Sequence, residues 1–431
     1  MSPARRRPRL RPLAALLLAA AGFAACRRDP GGAAVVTFPG SAVGAEAEVL
    51  RSQLRRFMDA HPGIRVETRP TPDAADRRHQ LYVQWLNARA PDPDILQLDV
   101  VWTPEFAAAG WLLSLERFSP PADEFLAAAV RANRWRGSLY ALPWYVDVGM
   151  LYWRTDLMRA PPDSFDELLA LAAAARERGG IPYGFVWQGA RYEGLVCAFL
   201  EHLGGFGGRI LDDDGLPEVD APAAVRALEF MRDAIYRDRV VPRAVLTWQE
   251  EQTRLAFQNG EAALMRNWPY AYALLQDPER SAVAGRFGVA PMPAQPGGAP
   301  TATLGGQQLA INANSDRPEQ AWAVIEYLTR PEQMLERARA AGQYPARPSL
   351  YDSPELARAV AVPPGALRRI VLGATPRPLT PVYTQLSELL QIRIHRALTR
   401  QESPAEALRS AAREIGDLLH ETGLSFAHPA R

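Results

Sequence analysis

The sequence predicts an α/β fold built on a mostly parallel sheet, and three observations carry that expectation. The first hundred residues alternate strand-like and helix-like segments, the pattern from which such sheets are assembled. Asp94-Ile95-Leu96-Gln97-Leu98-Asp99-Val100-Val101 is a near-continuous apolar run, as a strand buried on both faces requires. The chain has 431 residues, 48% of them hydrophobic and 23% charged, which is enough apolar surface for two or three ordinary domains. The same balance excludes a disordered chain, a collagen-like repeat and a multi-span membrane protein.

The elements follow in order. Ala33-Val35-Val36-Thr37-Phe38 reads as a first strand, broken by Pro39-Gly40. Residues 46–60 place Val49, Leu50, Leu54, Phe57 and Met58 at helical spacing, and Pro62-Gly63 ends that helix. Residues 64–68 are strand-like. Residues 76–88 are helical and are expected to bury Leu81, Val83, Trp85 and Leu86. Residues 137–152 are rich in β-branched and aromatic side chains and carry no helix signals. Ser164-Phe165-Asp166-Glu167 is a capping box opening a helix that stops at Gly179-Gly180. Further helices are expected over 192–203, 221–236 and 254–258, then a strand over 261–265. Residues 291–306 hold Pro and Gly in an irregular crossing. A strand at 309–311 precedes helices over 318–328, 331–341, 379–398 and 404–419.

The N-terminus changes the charge arithmetic. There are 49 Lys+Arg and 48 Asp+Glu, a net charge of +1, and every basic residue is Arg. Arg5, Arg6, Arg7, Arg9 and Arg11 precede an apolar core over 13–21, too short to span a bilayer. Phe23-Ala24-Ala25-Cys26 then reads as the cleavage region of a lipoprotein leader, with Phe23 where Leu is usual. Lipidation of Cys26 is the expectation and cleavage without lipid the alternative. Removal of residues 1–25 takes away five Arg and leaves 44 basic against 48 acidic residues, net −4. That sign excludes a dedicated nucleic-acid binder. Cys197 lies in an apolar run and is expected as a buried, inert thiol, without a disulfide partner. Two Cys and six scattered His give no metal-ligand spacing, so neither a metal nor a cofactor is expected.

Several segments resemble the carbohydrate-specific extracellular solute-binding proteins of ABC importers. Ala141-Leu142-Pro143-Trp144-Tyr145-Val146-Asp147, followed by Leu151-Tyr152-Trp153-Arg154-Thr155-Asp156-Leu157, is similar to that family's LPxxxDxxxLYYxxDL stretch. Ser164 to Leu168 resembles its TWDEL, and Phe257-Gln258-Asn259-Gly260-Glu261-Ala262-Ala263-Leu264-Met265 its F..G.AAM segment. Leu309-Ala310-Ile311 with Pro318-Glu319-Gln320-Ala321-Trp322 matches a fourth. Phe185-Val186-Trp187-Gln188-Gly189 and Tyr192-Glu193-Gly194-Leu195, then Arg266-Asn267-Trp268-Pro269-Tyr270 and Arg377-Pro378 with Tyr383, look like the trehalose/maltose-binding branch. The likeness runs from about residue 33 to the end.

The resemblance implies a two-lobe periplasmic-binding-protein-like fold, with a ligand cleft between lobes joined by hinge crossings. Its expected division is a signal peptide over 1–25, an N-terminal lobe from 26–143 and 290–328, and a C-terminal lobe from 144–289 and 329–431. Crossings are expected near 143–145, 288–291 and 329–331. It implies a binding protein rather than an enzyme, exported and lipid-anchored to the membrane through Cys26. Such a protein is monomeric and delivers a disaccharide to ABC permease subunits.

The resemblance also places Glu46, Arg78, Asp99, Tyr145, Asp147, Trp268, Tyr270 and Arg377 where disaccharide is held. The residue types suit a sugar, whose hydroxyls need carboxylates and Arg and whose C–H faces need aromatic planes. Asp99 falls at a strand's C-terminal end, where open sheets place ligands, though an ordinary strand-end cap is the other reading. Asp147 sits among Trp144, Tyr145 and Val146, where an unpartnered carboxylate is costly. Tyr145 suits either cleft or core. Trp268 and Tyr270 flank Pro269 on a loop, and Arg377 lies between prolines. Glu46 could equally serve the helix dipole, and Arg77 could face the cleft in place of Arg78. After Gly305 and Gly306 the branch pattern has Trp, and this chain has Gln307, which offers hydrogen bonds but no stacking plane. Trp187 is either a compensating platform or core. The alternatives are the same fold binding a polyol, an oligosaccharide or a glycerophosphodiester and, more distantly, a secreted glycosidase using Asp99 and Asp147.

Overall fold

The computed structural model describes residues 32–40, 45–72, 74–359 and 364–424. The expected leader over 1–25 and Cys26 lie outside them. β1 (Ala34–Gly40) and β2 (Ile64–Pro70) pair in parallel around the helix Glu46–Ala60, whose inner face is Val49, Leu50, Gln53, Leu54 and Phe57.

The helix Ala75–Asn87 turns inward a different face from the one expected. Arg78, His79, Tyr82 and Leu86 are buried, while Leu81, Val83 and Trp85 are half-buried. A polarity count sends Arg78 and His79 outward. Here each finds a partner that makes burial tolerable: Arg78 lies over the Trp102 ring at 5.4 Å, and His79 Nε2 meets Glu105 at 3.0 Å.

β3 (Ile95–Asp99) is followed by a small hairpin, β4 (Arg134–Trp135) and β5 (Ser138–Leu139). Then come β6 (Ala141–Val148), β7 (Met150–Arg154), β8 (Tyr183–Val186), β9 (Ala262–Asn267), β10 (Phe287–Ala290), β11 (Leu304–Ile311) and β12 (Tyr344–Pro345). They form two four-stranded sheets, ordered β12-β6-β11-β3 and β10-β7-β9-β8. The expectation of a mostly parallel sheet fails. β11 runs antiparallel to both β6 and β3, β12 is antiparallel to β6, and β7 is antiparallel to β9 and β10. The chain leaves the first sheet along β6 and comes back along β11, so the returning strand enters reversed. Only β1–β2 and β8–β9 pair in parallel among these strands.

The crossings are shifted from those expected. β6 runs unbroken through 143–145 and ends at Val148, so the first crossing is Gly149, between β6 and β7. The second lies between Ala290 and Leu304, as the Pro/Gly content suggested. At 329–331 the chain does not change sheets. The helix Pro331–Ala341 packs on Glu46–Ala60, with Gln53 Nε2 donating to Gln333 O at 2.9 Å, and β12 extends the first sheet. The return runs over 373–382, where Thr375 N donates to Ala302 O and Leu304 N to Thr375 O, each at 2.8 Å. The helices Tyr383–Leu398 and Pro404–Glu421 then pack against Glu193–Gly205 and Pro222–Tyr236.

The capping box at Ser164 forms by half. Ser164 Oγ accepts from Glu167 N at 3.1 Å, but Glu167 reaches Asp163 N at 2.8 Å. Trp187 is core, fully buried beside His202. Cys197 is a buried free thiol, and burial pushes its pKa well up.

Candidate functional site

A cavity of about 440 Å³ lies where the two sheets approach each other, within the range of about 300–1,000 Å³ common to small-molecule sites. Its lining contains Glu46, Arg78, Asp99, Tyr145, Asp147, Trp268, Tyr270, Gly305, Gly306, Gln307 and Arg377. All eleven residues expected to hold the ligand are thus gathered in one place, while Trp187, the possible compensating platform, is not among them. Arg77, the alternative to Arg78, is exposed and outside it.

One wall is cut from the first sheet. Gln307 on β11 is registered opposite Asp99 on β3 and Tyr145 on β6, and Gly305 opposite Asp147. Gly306 has φ +115°, and a Cβ there would fall 2.3 Å from Tyr145 O, so only glycine lets β11 lie this close. Glu46, the first residue of its helix, is buried. Its Oε1 accepts from Tyr145 OH at 3.2 Å, Gln97 Nε2 at 3.4 Å and Arg337 Nη2 at 3.4 Å. Burial raises the Glu46 pKa, with Arg337 acting against it. Burial also pushes Asp147 up to about 7, helped by the charges of Glu46 and Asp99.

The second wall comes from the end of β9 and the helix Glu250–Gln258. Trp268 Nε1 donates to Glu250 Oε1 at 3.3 Å, and Tyr270 OH donates to Glu251 Oε1 at 2.6 Å. The Trp268 ring rests on the Arg266 guanidinium, 4.0 Å from its centre. Arg377 closes one end, its Nη2 donating to Asp99 Oδ1 and its Nη1 to Glu193 Oε1, both at 2.7 Å. Glu193 also accepts from Tyr383 OH at 2.7 Å and from Ser387. A smaller cavity of about 210 Å³ adjoins the first, sharing Ala75, Asp99 and Glu193 with it.

Sequence reasoning passed over Tyr192, Glu193, Glu250, Glu251 and Gln343 as lining residues. Glu250 and Glu251 were hidden because the helix was expected only from residue 254. A capping box between Gln249 and Gln252 starts it earlier and turns both acids toward the rings. Glu193 stood inside a segment already noted for its likeness, but one half-buried helix start does not declare its partner. Six carboxylates line the cavity (Glu46, Asp99, Asp147, Glu193, Glu250, Glu251) against the guanidinium groups of Arg78 and Arg377. Such a lining accepts hydrogen bonds from hydroxyl donors and repels anions.

Comparison with known proteins gives the lineage. Residues 41–335 match the bacterial extracellular solute-binding proteins. The chain is 39% identical over 363 residues to a probable ABC transporter-binding protein of Deinococcus radiodurans, covering 81% of this chain and 85% of that one. Among solved structures it is similar to the maltose-bound MalE3 of T. maritima. The identity is 43% and the TM-score 0.86, over 90% of this chain and 100% of that one. An ABC transporter solute-binding protein of Thermotoga lettingae bound with α-D-tagatose is similar at 26% identity and a TM-score of 0.81, over 90% and 100%. With a family match across more than half its length, and two sheets facing one another over a polar, ring-lined cleft, the chain belongs to the bacterial extracellular solute-binding proteins and has their two-lobe α/β fold.

Proposed function

We propose that this protein is the extracellular sugar-binding component of an ABC importer, and that it clamps a disaccharide of the trehalose or maltose kind between its lobes. One observation carries the reading: six carboxylates and the rings of Tyr145, Trp268 and Tyr270 line a single cavity of about 440 Å³. Carboxylates suit the hydroxyl edge of a sugar and rings its C–H faces. The excess of acids weighs against a glycerophosphodiester, whose phosphate would meet like charge. The eleven lining residues named from the sequence are the proposed contacts.

On this reading the lobes are best divided by packing, with 331–372 joined to the first lobe rather than the second. A sugar touching both walls makes contacts that only a closed form completes, and that differential affinity shifts the population toward closure. The leader sequence supports export and a lipid at Cys26, and the protein acts as a monomer without chemistry on its ligand.

A thermal-shift and tryptophan-fluorescence panel on the mature chain tests the proposal. Maltose or trehalose should raise Tm and change the emission. If neither disaccharide, nor any other glucoside, has an effect at millimolar concentration, the disaccharide reading fails. A response to a polyol or to glycerophosphocholine alone moves the protein to the corresponding alternative. Release of glucose would make it a glycosidase.

A further inference from the structure

Arg337, on the helix Pro331–Ala341, is fully buried and lines neither cavity, yet three residues of the larger cavity hang on it. Its guanidinium carbon lies 3.9 Å from the centre of the Trp144 ring and 5.4 Å from that of Tyr145. Nη2 donates to Glu46 Oε1 at 3.4 Å and to Gln343 Oε1, and Nη1 donates to Gln53 Oε1 at 3.5 Å. Glu46, Tyr145 and Gln343 all line the cavity.

We propose that Arg337 is a positioning residue for the ligand site, holding Glu46 as an aimed acceptor and fixing Tyr145 and Gln343 around it without touching the ligand. A carboxylate taken out of water needs an opposite charge and satisfied lone pairs to stay ionised. Around Glu46 the charged and titratable neighbours are Arg337, Arg78, Tyr145, Tyr82 and Asp147. Asp147 works against ionisation, Arg78 is shared with the Trp102 ring, and the Arg337 charge is the largest influence in favour. The flat guanidinium fills the slot against Trp144 while its fork reaches Glu46, Gln343 and Gln53 at once, a geometry that an ammonium does not reproduce.

The inference rests on the cavity being the ligand site, and its test separates the two. In ligand-free protein, the Glu46 carboxyl is titrated by 13C NMR, its resonance assigned by E46Q. Removing an opposite charge at this range should raise the Glu46 midpoint by about one pH unit or more in R337Q, and R337K should return it most of the way. Maltose affinity at pH 7 should weaken roughly tenfold or more in R337Q, as expected for losing a charged hydrogen-bond arrangement, and recover in part in R337K. R337M is the second neutral variant should R337Q not fold. If a folded neutral variant shows a lower Tm but an unchanged Glu46 midpoint and unchanged maltose affinity, Arg337 is only a core brace and the proposal falls. If wild-type protein binds no maltose, the sugar reading is what fails. The Glu46 midpoint alone then decides for Arg337, a rise supporting it and no rise overturning it.

Discussion

Gly149 and Glu201 meet across the first crossing with no room for a side chain between them: a Cβ on Gly149 would stand 1.7 Å from Glu201 Oε1. That same oxygen accepts from Thr303 N, at 3.3 Å, on the second crossing, and Gly149 N donates to Thr303 O at 3.4 Å. Glu201 is fully buried and paired with the equally buried Arg266, so two of the three crossings are tied to one ion pair.

The first prediction is that G149A destabilises strongly. The added methyl must displace Glu201 or Arg266, and disturbing a buried pair costs about 3–5 kcal/mol. Urea unfolding monitored by circular dichroism should show it. A loss below about 0.5 kcal/mol, within ordinary surface-substitution range, would mean that the crossing moves aside freely.

Arg377 carries a comparable burden at the far end of the cavity. It is 3% exposed and holds both Asp99 and Glu193. R377M leaves two carboxylates facing each other without their shared counter-ion, so stability should fall by about 3 kcal/mol or more. Adding D99N to that variant should restore part of the loss, because one uncompensated charge is gone. Equal stabilities for the single and double variants would show that Asp99 had re-solvated in R377M.

Much of this site was legible because the family resemblance places its residues and local context supports several of them. Asp99 ends an apolar strand, Asp147 is an acid among rings, and Trp268 and Tyr270 flank a proline. The helices Glu46–Ala60, Pro318–Leu328 and Pro331–Ala341 fall on the residues expected from apolar periodicity and Pro/Gly punctuation, although none has a side-chain N-cap. What was not legible depends on pairing between distant segments. The reversed entry of β11 is invisible in a run such as Leu309-Ala310-Ile311, which looks the same in either direction. The inward turn of Arg78 and His79 contradicts a polarity pattern and is explained by partners such as Trp102, Pro72 O and Glu105, and no spacing rule connects Trp102 or Glu105 to them. Arg337 is hidden for the same reason, since its partners Glu46 and Gln53 lie nearly 300 residues away in sequence.

Gln307 should separate stability from binding. Its Oε1 is buried without a hydrogen-bond partner among the described residues, although the residue lines the cavity beside Asp99 and Tyr145. A buried acceptor with no donor is a cost of about 1–3 kcal/mol that only an incoming donor removes. Q307L is therefore expected to leave Tm unchanged or raise it, while weakening maltose binding by about tenfold. A Q307L protein that binds maltose as tightly as wild type would remove Gln307 from the contact set.

Asp147 sets the expected pH response. Its folded pKa is pushed up to about 7, first by burial and then by the neighbouring charges of Glu46 and Asp99, whereas an unfolded aspartate titrates near 3.9. Between those values the folded chain keeps a proton that the unfolded chain has lost, so protonation favours folding there. The contribution of Asp147 to stability therefore falls as pH rises from about 4 to 7 and is flat above that. D147N carries no such penalty and should exceed wild type by about 1–3 kcal/mol at pH 8, the gap closing toward pH 4. Urea unfolding of both proteins across pH 4 to 8 reads this residue together with the shifts that loss of its charge brings to Glu46 and Asp99. Maltose affinity should behave in the opposite sense. A sugar hydroxyl donates to a carboxylate better than to a carboxylic acid, so affinity in wild type should rise through pH 7 while D147N stays level. Parallel stability curves for the two proteins would show that Asp147 is already ionised in the cleft and that its neighbours do not hold the proton there.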